Sequence, residues 1–399
     1  MTVHDDAVAI ADDLAQLRRR IHRAPEIGLD LPRTQEKVLA ALDGLPLDVT
    51  LGRALSSVTA VLRGRRPGRT VLLRGDMDAL PVTERTGLGY SSEIAGAMHA
   101  CGHDLHTAML TGAARVLAAR QDGLAGNVIF MFQPGEEGCG GARLMIDEGV
   151  LDAAGERPAA AYALHVAASD WPGGVLATRP GTIMAAADVL DVTVRGHGGH
   201  ASRPYLTKDP IPAACEMVTA LQTLVTRRFD VFDPVVVTVG SFHAGTADNV
   251  IPDEARFLAT VRSFSPAARD TVKQASIRLV ADIASAHGLH AEATYTDGYP
   301  ITVNDAAQVT FARQTAAELF GDGRFTAMAN PLTGAEDFSF ILDQVPGAFI
   351  MLGACPAGTD PASAPTNHAA DAVFDDSVLA DGATFLAELA LRRLAPHPF

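Results

Sequence analysis

The sequence predicts an α/β protein of two domains, a mixed-sheet α/β domain interrupted by an inserted, smaller ferredoxin-like (α+β) domain. Three observations predict it. The chain has 399 residues, 48 % hydrophobic and 20 % charged, which is the composition of a compact soluble protein and longer than one ordinary core. The first half and the last quarter alternate short aliphatic runs with apolar residues at helical spacing, as strand–helix crossovers do. Between them the order changes to strand-helix-strand-strand-helix-strand, that of a split β-α-β unit. The expected boundaries are 1–186 and 300–399 for the larger, discontinuous domain and 187–299 for the insert.

Taken in order, Val8, Ile10, Leu14, Leu17 and Ile21 predict a helix over 6–22, which stops at His22-Arg23-Ala24-Pro25-Glu26 because proline restricts the residue before it. A second helix fits 34–42. The runs 58–62 and 70–73 read as buried strands, the second ending in Arg74-Gly75-Asp76-Met77-Asp78-Ala79-Leu80-Pro81. Acids at the carboxyl end of a buried strand stand where sites form in open α/β sheets; a solvated turn is the alternative for Asp76 and Asp78. Next, Met98-His99-Ala100-Cys101-Gly102-His103-Asp104-Leu105-His106-Thr107 reads as a loop entering a crossover helix over 107–119. The strand 127–132 breaks at Gln133-Pro134-Gly135-Glu136-Glu137-Gly138, a helix fits 142–148, and the strand 159–164 brings His165 to a third strand end.

Within the insert, strand 189–194 and helix 211–225 precede a strand pair, 235–240 with 255–261, then helix 267–286 and strand 289–295. Its first loop, Gly196-His197-Gly198-Gly199-His200-Ala201, is a flexible reach for His200, and the side chains of Asn249 and Arg262 suit a carboxylate. The chain closes with helix 306–319, Gly334-Ala335-Glu336-Asp337-Phe338, strand 348–352, a loop holding Asn367-His368, and helix 377–394.

The ten residues from Met98 to Thr107 gather a thiol, three imidazoles and a carboxylate. Gly102 allows the bend that would turn Cys101 and His103 toward one pocket, which reads as a metal site. Buried structural roles and a reactive thiol remain alternatives. A redox pair lacks a second nearby cysteine, and a nucleophilic triad draws its members from separate parts of a fold. Glu136 and Glu137 are adjacent, so their side chains diverge and one can bind a metal while the other faces a water. A formal net charge of -15 argues against nucleic acid or an anionic membrane as partner. No apolar run approaches a membrane span, the first residues are acidic rather than basic, and four scattered cysteines make no disulfide framework. A cytoplasmic protein is expected, with Cys139, Cys215 and Cys355 as small apolar residues.

This ordered set of motifs, from Arg74–Pro81 through Met98–Thr107, Gln133–Gly138, Gly198–Ala201, Asn249–Pro252 and Gly334–Phe338 to Asn367-His368, resembles the M20 metallopeptidase family. The likeness is to its amidohydrolase branch of hippurate hydrolases, indole-acetyl-amino-acid hydrolases and N-acyl-amino-acid deacylases, and spans nearly the whole chain. Gly75 departs from it, alanine being more usual there. The resemblance implies that Cys101, His103, Glu137, His165 and His368 bind two divalent metal ions per subunit, with Cys101 as the bridge. It makes Glu136 the general base and His200 the group that polarises the scissile carbonyl from across a dimer interface. Asn249 and Arg262 would hold the substrate carboxylate. The implied reaction is hydrolysis of an N-acyl amino acid by a homodimer or higher homo-oligomer whose insert serves as a dimerisation and lid domain. The thiolate favours zinc, and the nitrogen and carboxylate ligands admit manganese, cobalt or nickel. A dipeptidase or carboxypeptidase of the same family, a non-catalytic metal-binding protein on this fold and a cysteine-dependent hydrolase are the competing expectations.

Overall fold

The aliphatic runs become interior strands of an eight-stranded mixed sheet, because strands covered on both faces leave no place for polar residues. The computed structural model describes residues 1–395. In it the strands lie in the spatial order Leu47–Leu51, Val58–Arg63, Ala125–Gln133, Arg66–Asp76, Ala160–Pro172, Gly347–Cys355, Leu176–Thr178 and Phe325–Ala327. From Ala125–Gln133 to Gly347–Cys355 the neighbours are parallel, and Val58–Arg63 pairs antiparallel on both sides. Arg66–Asp76 has Ala125–Gln133 on one side and Ala160–Pro172 on the other. The crossovers therefore part at this strand, which opens a crevice at the carboxyl ends of the parallel strands. The sheet belongs to a compact unit made of Met1–Gly181, Val303–Ala329 and the described residues from Asp337 onward.

Several expectations for this unit are corrected. The helix expected over 6–22 is two, Val3–Ala9 and Ala11–Arg23, separated by Ile10 at φ -109° and ψ 8°, an interruption of one residue that apolar periodicity does not register. The helix expected from residue 107 runs His103–Ala118, so His103 and His106 are helical rather than in a loop. The strand holding His165 continues to Pro172, because Gly347–Cys355 pairs along it with Met351 opposite His165. Asp76 and Asp78 are fully buried, not in a solvated turn. Of the three cysteines expected to be small apolar residues, only Cys355 is buried; Cys139 and Cys215 are exposed, and all four are free thiols.

Glycine is required at two approaches around the helix His103–Ala118. Gly102 precedes it in the left-handed region at φ +81°, and a Cβ there would lie 2.3 Å from a Val166 methyl. Gly75, the departure noted above, would place a Cβ 2.9 Å from the His106 carbonyl oxygen, so its absence lets strand and helix approach closely.

The second compact unit comprises Thr182–Thr302 and Asn330–Glu336; it contains the segment 187–299 and adds a short return from the last third of the chain. Its main sheet has four strands in the order Val235–Ala244, Glu254–Ser263, Ala186–Arg195 and His290–Tyr299, all antiparallel, which is the ferredoxin-like arrangement. Ala255, Phe257, Ala259 and Val261 alternate inward and share a core with Met217 and Leu221 of helix Pro210–Arg228 and Val272 and Val280 of helix Pro266–Ala286. Both helices start with proline behind a capping side chain, Asp209 or Ser265. Among the described residues no helix is long and apolar enough to cross a membrane.

Because Gly102 needs both a left-handed backbone and the missing Cβ, Gly102→Ala is expected to lower the free energy of unfolding by about 2–4 kcal/mol. Urea denaturation measures this, and a variant as stable as the parent would show that the turn accepts a side chain.

Candidate metal centre

The carboxyl edge of the parallel strands collects the reactive side chains of the first unit. Strand Arg66–Asp76 delivers Asp76 and, two residues on, Asp78; strand Ala125–Gln133 leads into the turn with Glu136 and Glu137; strand Ala160–Pro172 carries His165. The left-handed turn at Gly102 sets Cys101 just ahead of a helix and His103 in its first position. His368 arrives from the last loop, itself at φ +71°, with its N–H donated to the Ala100 carbonyl at 2.8 Å. A bulky residue in this region is an outlier that clusters at functional sites.

The expected ligands fall into groups that share members. Ligand atoms of Cys101, His103 and His165 lie within 4.8 Å of one another, and so do those of Cys101, Glu137 and His368 and those of His103, Glu136 and Glu137. The Cys101 sulfur is 3.4 Å from His165 Nε2 and 3.2 Å from His368 Nε2, which in turn is 3.2 Å from Glu137 Oε1. His103 Nδ1 is 3.4 Å from an Asp78 oxygen. Yet among the described residues the two buried ring nitrogens of His103 make no hydrogen bond of good geometry, although they face carboxylate oxygens of Asp78 at 3.4 Å and Asp76 at 3.8 Å. A thiol, imidazoles and carboxylates crowded into one buried place with incompletely satisfied hydrogen bonds are what a bound cation resolves and what a closed protein core avoids.

The electrostatics divide the imidazoles: against the cost of burial, Asp76 and Cys101 hold His103 well above the usual imidazole range. Burial, assisted by the His106 imidazole, pushes His165 well below the usual imidazole range, leaving the neutral form that ligates metals. Hydrogen bonding to Cys101 and Glu137 instead raises His368 to about 10 against the cost of burial. The sulfur–carboxylate side of the cluster thus draws positive charge. Sulfur, imidazole and carboxylate together form a donor set that fits divalent transition ions.

Residues the sequence reading left without a role hold these groups in place. Asp78 accepts the backbone N–H of both Glu136 and Glu137, each at 3.0 Å, fixing the two acids from below. Asp76, His103 and His106 also lie within 4.8 Å, but the Val166 N–H donates to His106 Nε2 at 2.7 Å. That bond places the His106 proton on Nδ1, facing Asp76, and leaves no nitrogen for a metal. Asn367 donates to the Val166 carbonyl at 2.9 Å and the Cys101 carbonyl at 3.3 Å, and accepts from Ala168 N–H at 2.9 Å. Arg74, wholly buried, donates to Asp76, Gln133 and Asp337. The only sequence signal for these was their presence inside motifs whose other members carry the chemistry.

The remaining expected residues lie in the second unit. His200 is exposed on the two-residue strand Gly199–His200, opposite Val250, and its Nδ1 accepts the Ser202 N–H at 3.2 Å. The Asn249 carbonyl accepts the Ala201 N–H at 3.1 Å, so His200 and Asn249 are neighbours. Arg262 stands apart on strand Glu254–Ser263, half-buried, its pKa lowered by burial. Its nearby carboxylate, Asp188, is taken by Arg269, Tyr295 and the Gly298 N–H, and Arg262 has no ion-pair partner among the described residues.

Comparison with known proteins accords with this geometry. A family model described as peptidase family M20/M25/M40 matches residues 72–392. Thermostable carboxypeptidase 2 of Saccharolobus solfataricus is 37 % identical, covering 97 % of each chain. N-acetylcysteine deacetylase of Bacillus subtilis is 34 % identical, covering 95 % of this chain and 96 % of its own. The crystal structure of the Bacillus subtilis YXEP protein, described as a dinuclear metal-binding peptidase of the M20 family, superposes with a TM-score of 0.83 at 32 % identity, covering 97 % of this chain and 99 % of that one. The chain therefore belongs to peptidase family M20/M25/M40, in its amidohydrolase branch, and is a metal-dependent hydrolase acting on amides.

Proposed function

We propose that the protein hydrolyses the amide bond of N-acyl amino acids to a carboxylic acid and a free amino acid, using two divalent ions held by Cys101, His103, Glu137, His165 and His368. The observation that carries this reading is the pair of ligand groups sharing the Cys101 sulfur, with the buried His103 ring beside it making no hydrogen bond of good geometry among the described residues. Zinc or manganese suits the set best, with cobalt or nickel as substitutes. Ions bound there would supply an acidified water and positive charge facing the scissile carbonyl. Glu136, buried beside Glu137 and fixed through its N–H by Asp78, is assigned as general base: it takes the proton of the attacking water and returns it to the departing amine. His200 is assigned to the carbonyl oxygen, where its free Nε2–H would stabilise developing negative charge. Arg262 and Asn249 are assigned to the substrate carboxylate. A half-buried guanidinium without a carboxylate of its own supports the assignment for Arg262. The small unit is read as the dimerisation and lid domain and the protein as a cytoplasmic homodimer or higher homo-oligomer.

A second reading, carboxypeptidase action on peptides, is favoured by the Saccharolobus relative. Both are tested by measuring amine release from N-acetyl, N-benzoyl, long-chain N-acyl and indole-acetyl amino acids and from dipeptides, with metal-stripped and metal-restored protein. Metal-dependent release from acyl amino acids is expected; preference for dipeptides would select the second reading, and release indifferent to chelators would reject both. On the best substrate Glu136→Gln is expected to keep its metal and lose about 10²–10⁴ in rate. Near-normal turnover would remove its role as base.

For Arg262→Met the expected result is a rise in KM of about ten-fold or more for the free carboxylate substrate, with a much smaller rise for its amide. Equal effects on both would take Arg262 away from the carboxylate. Sedimentation is expected to give a dimer or larger assembly, and a fully active monomer would show that His200 is not supplied by a second copy.

A further inference from the structure

The helix Ala11–Arg23 carries a buried charge cluster that the hydrolysis above does not use. Its apolar stripe of Leu14, Leu17 and Ile21 also contains Arg18 and His22, one turn apart and both buried. Arg18 Nε donates to Asp104 Oδ2 at 2.6 Å, and Nη1 donates to the Tyr90 hydroxyl at 2.7 Å and to Asp376 at 3.0 Å. His22 Nδ1 is 2.7 Å from the same Asp104 oxygen, while Nε2 is 3.3 Å from Glu84. Two donors from one helix thus hold one carboxylate oxygen, and Asp104 directly follows His103 in the first turn of its helix. Just beyond, the Glu26 carbonyl accepts the Ala79 N–H at 2.8 Å, beside Asp78, and the Glu26 carboxylate is tied to the Thr34 N–H at 2.8 Å. The same short segment therefore touches both the loop that carries Asp78 and the first turn of the helix that carries His103.

We propose that Arg18–Ile27 braces the metal centre and that Arg18 and His22 are positioning residues, fixing the direction of His103 through Asp104. The inference rests on the assignment of His103 as a ligand. The buried His103 ring faces carboxylate oxygens of Asp78 at 3.4 Å and Asp76 at 3.8 Å without hydrogen-bond geometry, so its direction depends also on where the first helical turn places it. That turn is held by Gly102 on one side and by the Asp104 carboxylate on the other. Supporting groups of this kind set metal affinity without touching the ion. A pair that merely stabilised the fold would act equally with and without bound metal, whereas a positioning pair acts on the difference.

The test uses the full chain with zinc or manganese alone as probe. Apparent affinity is read by competition with a chromophoric chelator, and the thermal midpoint is read with and without the ion. His22→Leu and Arg18→Lys are expected to weaken affinity about 10–100-fold and to shrink the rise in Tm on adding metal. His22→Asn, whose amide can donate from the place of Nδ1, is expected to recover most of the loss. Arg19→Ala removes a neighbouring guanidinium that reaches Asp376 from the exposed side of the helix, and is expected to bind as the parent does. A folded His22→Leu with parental affinity, its Tm lowered equally with and without the ion, overturns the brace; if Arg18→Lys does not fold, the two His22 variants decide. A parent that binds metal and hydrolyses no amide would refute the proposed function while leaving this outcome readable.

Discussion

The buried guanidinium of Arg74 is the constraint on which the site edge depends. A charge taken wholly out of water is tolerated only when paired and hydrogen-bonded, and removing one partner of such a pair typically costs about 3–5 kcal/mol. Arg74 finds its partners in Asp76 on its own strand, Gln133 at the end of the neighbouring strand and Asp337 from the last third of the chain. Gln133 and the Ala142 N–H also donate to Asp337. The charge is therefore satisfied only when three distant segments meet at one sheet edge. Burial would push Asp76 up, but Arg74 and the two imidazoles outweigh it and hold the carboxyl well below its usual range. Asp76 in turn sets the His106 proton, and His106 receives the Val166 N–H beside His165. Removing the Arg74 side chain would thus reach His165 through Asp76 and His106, on a strand that Arg74 otherwise meets only through backbone pairing at Ala163.

Two imidazoles of the cluster show how local surroundings divide one chemistry into two roles. His165 stands against His106 in a buried strand, its Nδ1 bonded to the Val166 carbonyl, and is kept neutral. His368 is half-exposed and faces a sulfur and a carboxylate, which favour a positive charge at its ring.

Much of this was legible in the sequence, and the failures share one physical cause. The interior strands were readable because burial on both faces demands continuous aliphatic runs; Glu137 and His165 stood out as candidates because they come just after such runs, and Cys101 because it lies in a ten-residue cluster of thiol, imidazoles and carboxylate. Gly102 was readable because only glycine tolerates the turn it makes. Arg18 and His22 were not: in a helix whose neighbours are Arg19 and Arg20, charge suggests solvent, and their burial follows from Asp104, far along the chain. The exposed strand Leu47–Leu51 and the short strands Leu176–Thr178 and Phe325–Ala327 exist by pairing rather than by composition. Asp78 was seen as an acid at a strand end, but its use as an acceptor for two backbone N–H groups depends on a turn from another strand.

The groups that tie the ligand loops together are themselves largely neutral. Asn367 joins Cys101, Val166 and Ala168 through one amide, and the backbone bond from His368 to Ala100 fixes the left-handed turn beside it. A charged side chain in the place of Asn367 would compete with the thiolate and carboxylate for the ion, or repel the ion itself. An amide supplies donors and an acceptor without adding net charge. The charged carboxylate–arginine pairs, Arg74 with Asp76 and Arg18 with Asp104, stand next to this layer, and the Asp76 oxygen held by Arg74 also faces His103 Nε2 at 3.8 Å. The rigidity that a buried cluster of sulfur, imidazole and carboxylate needs thus comes in large part from groups outside the cluster, the Asn367 amide and the two arginines.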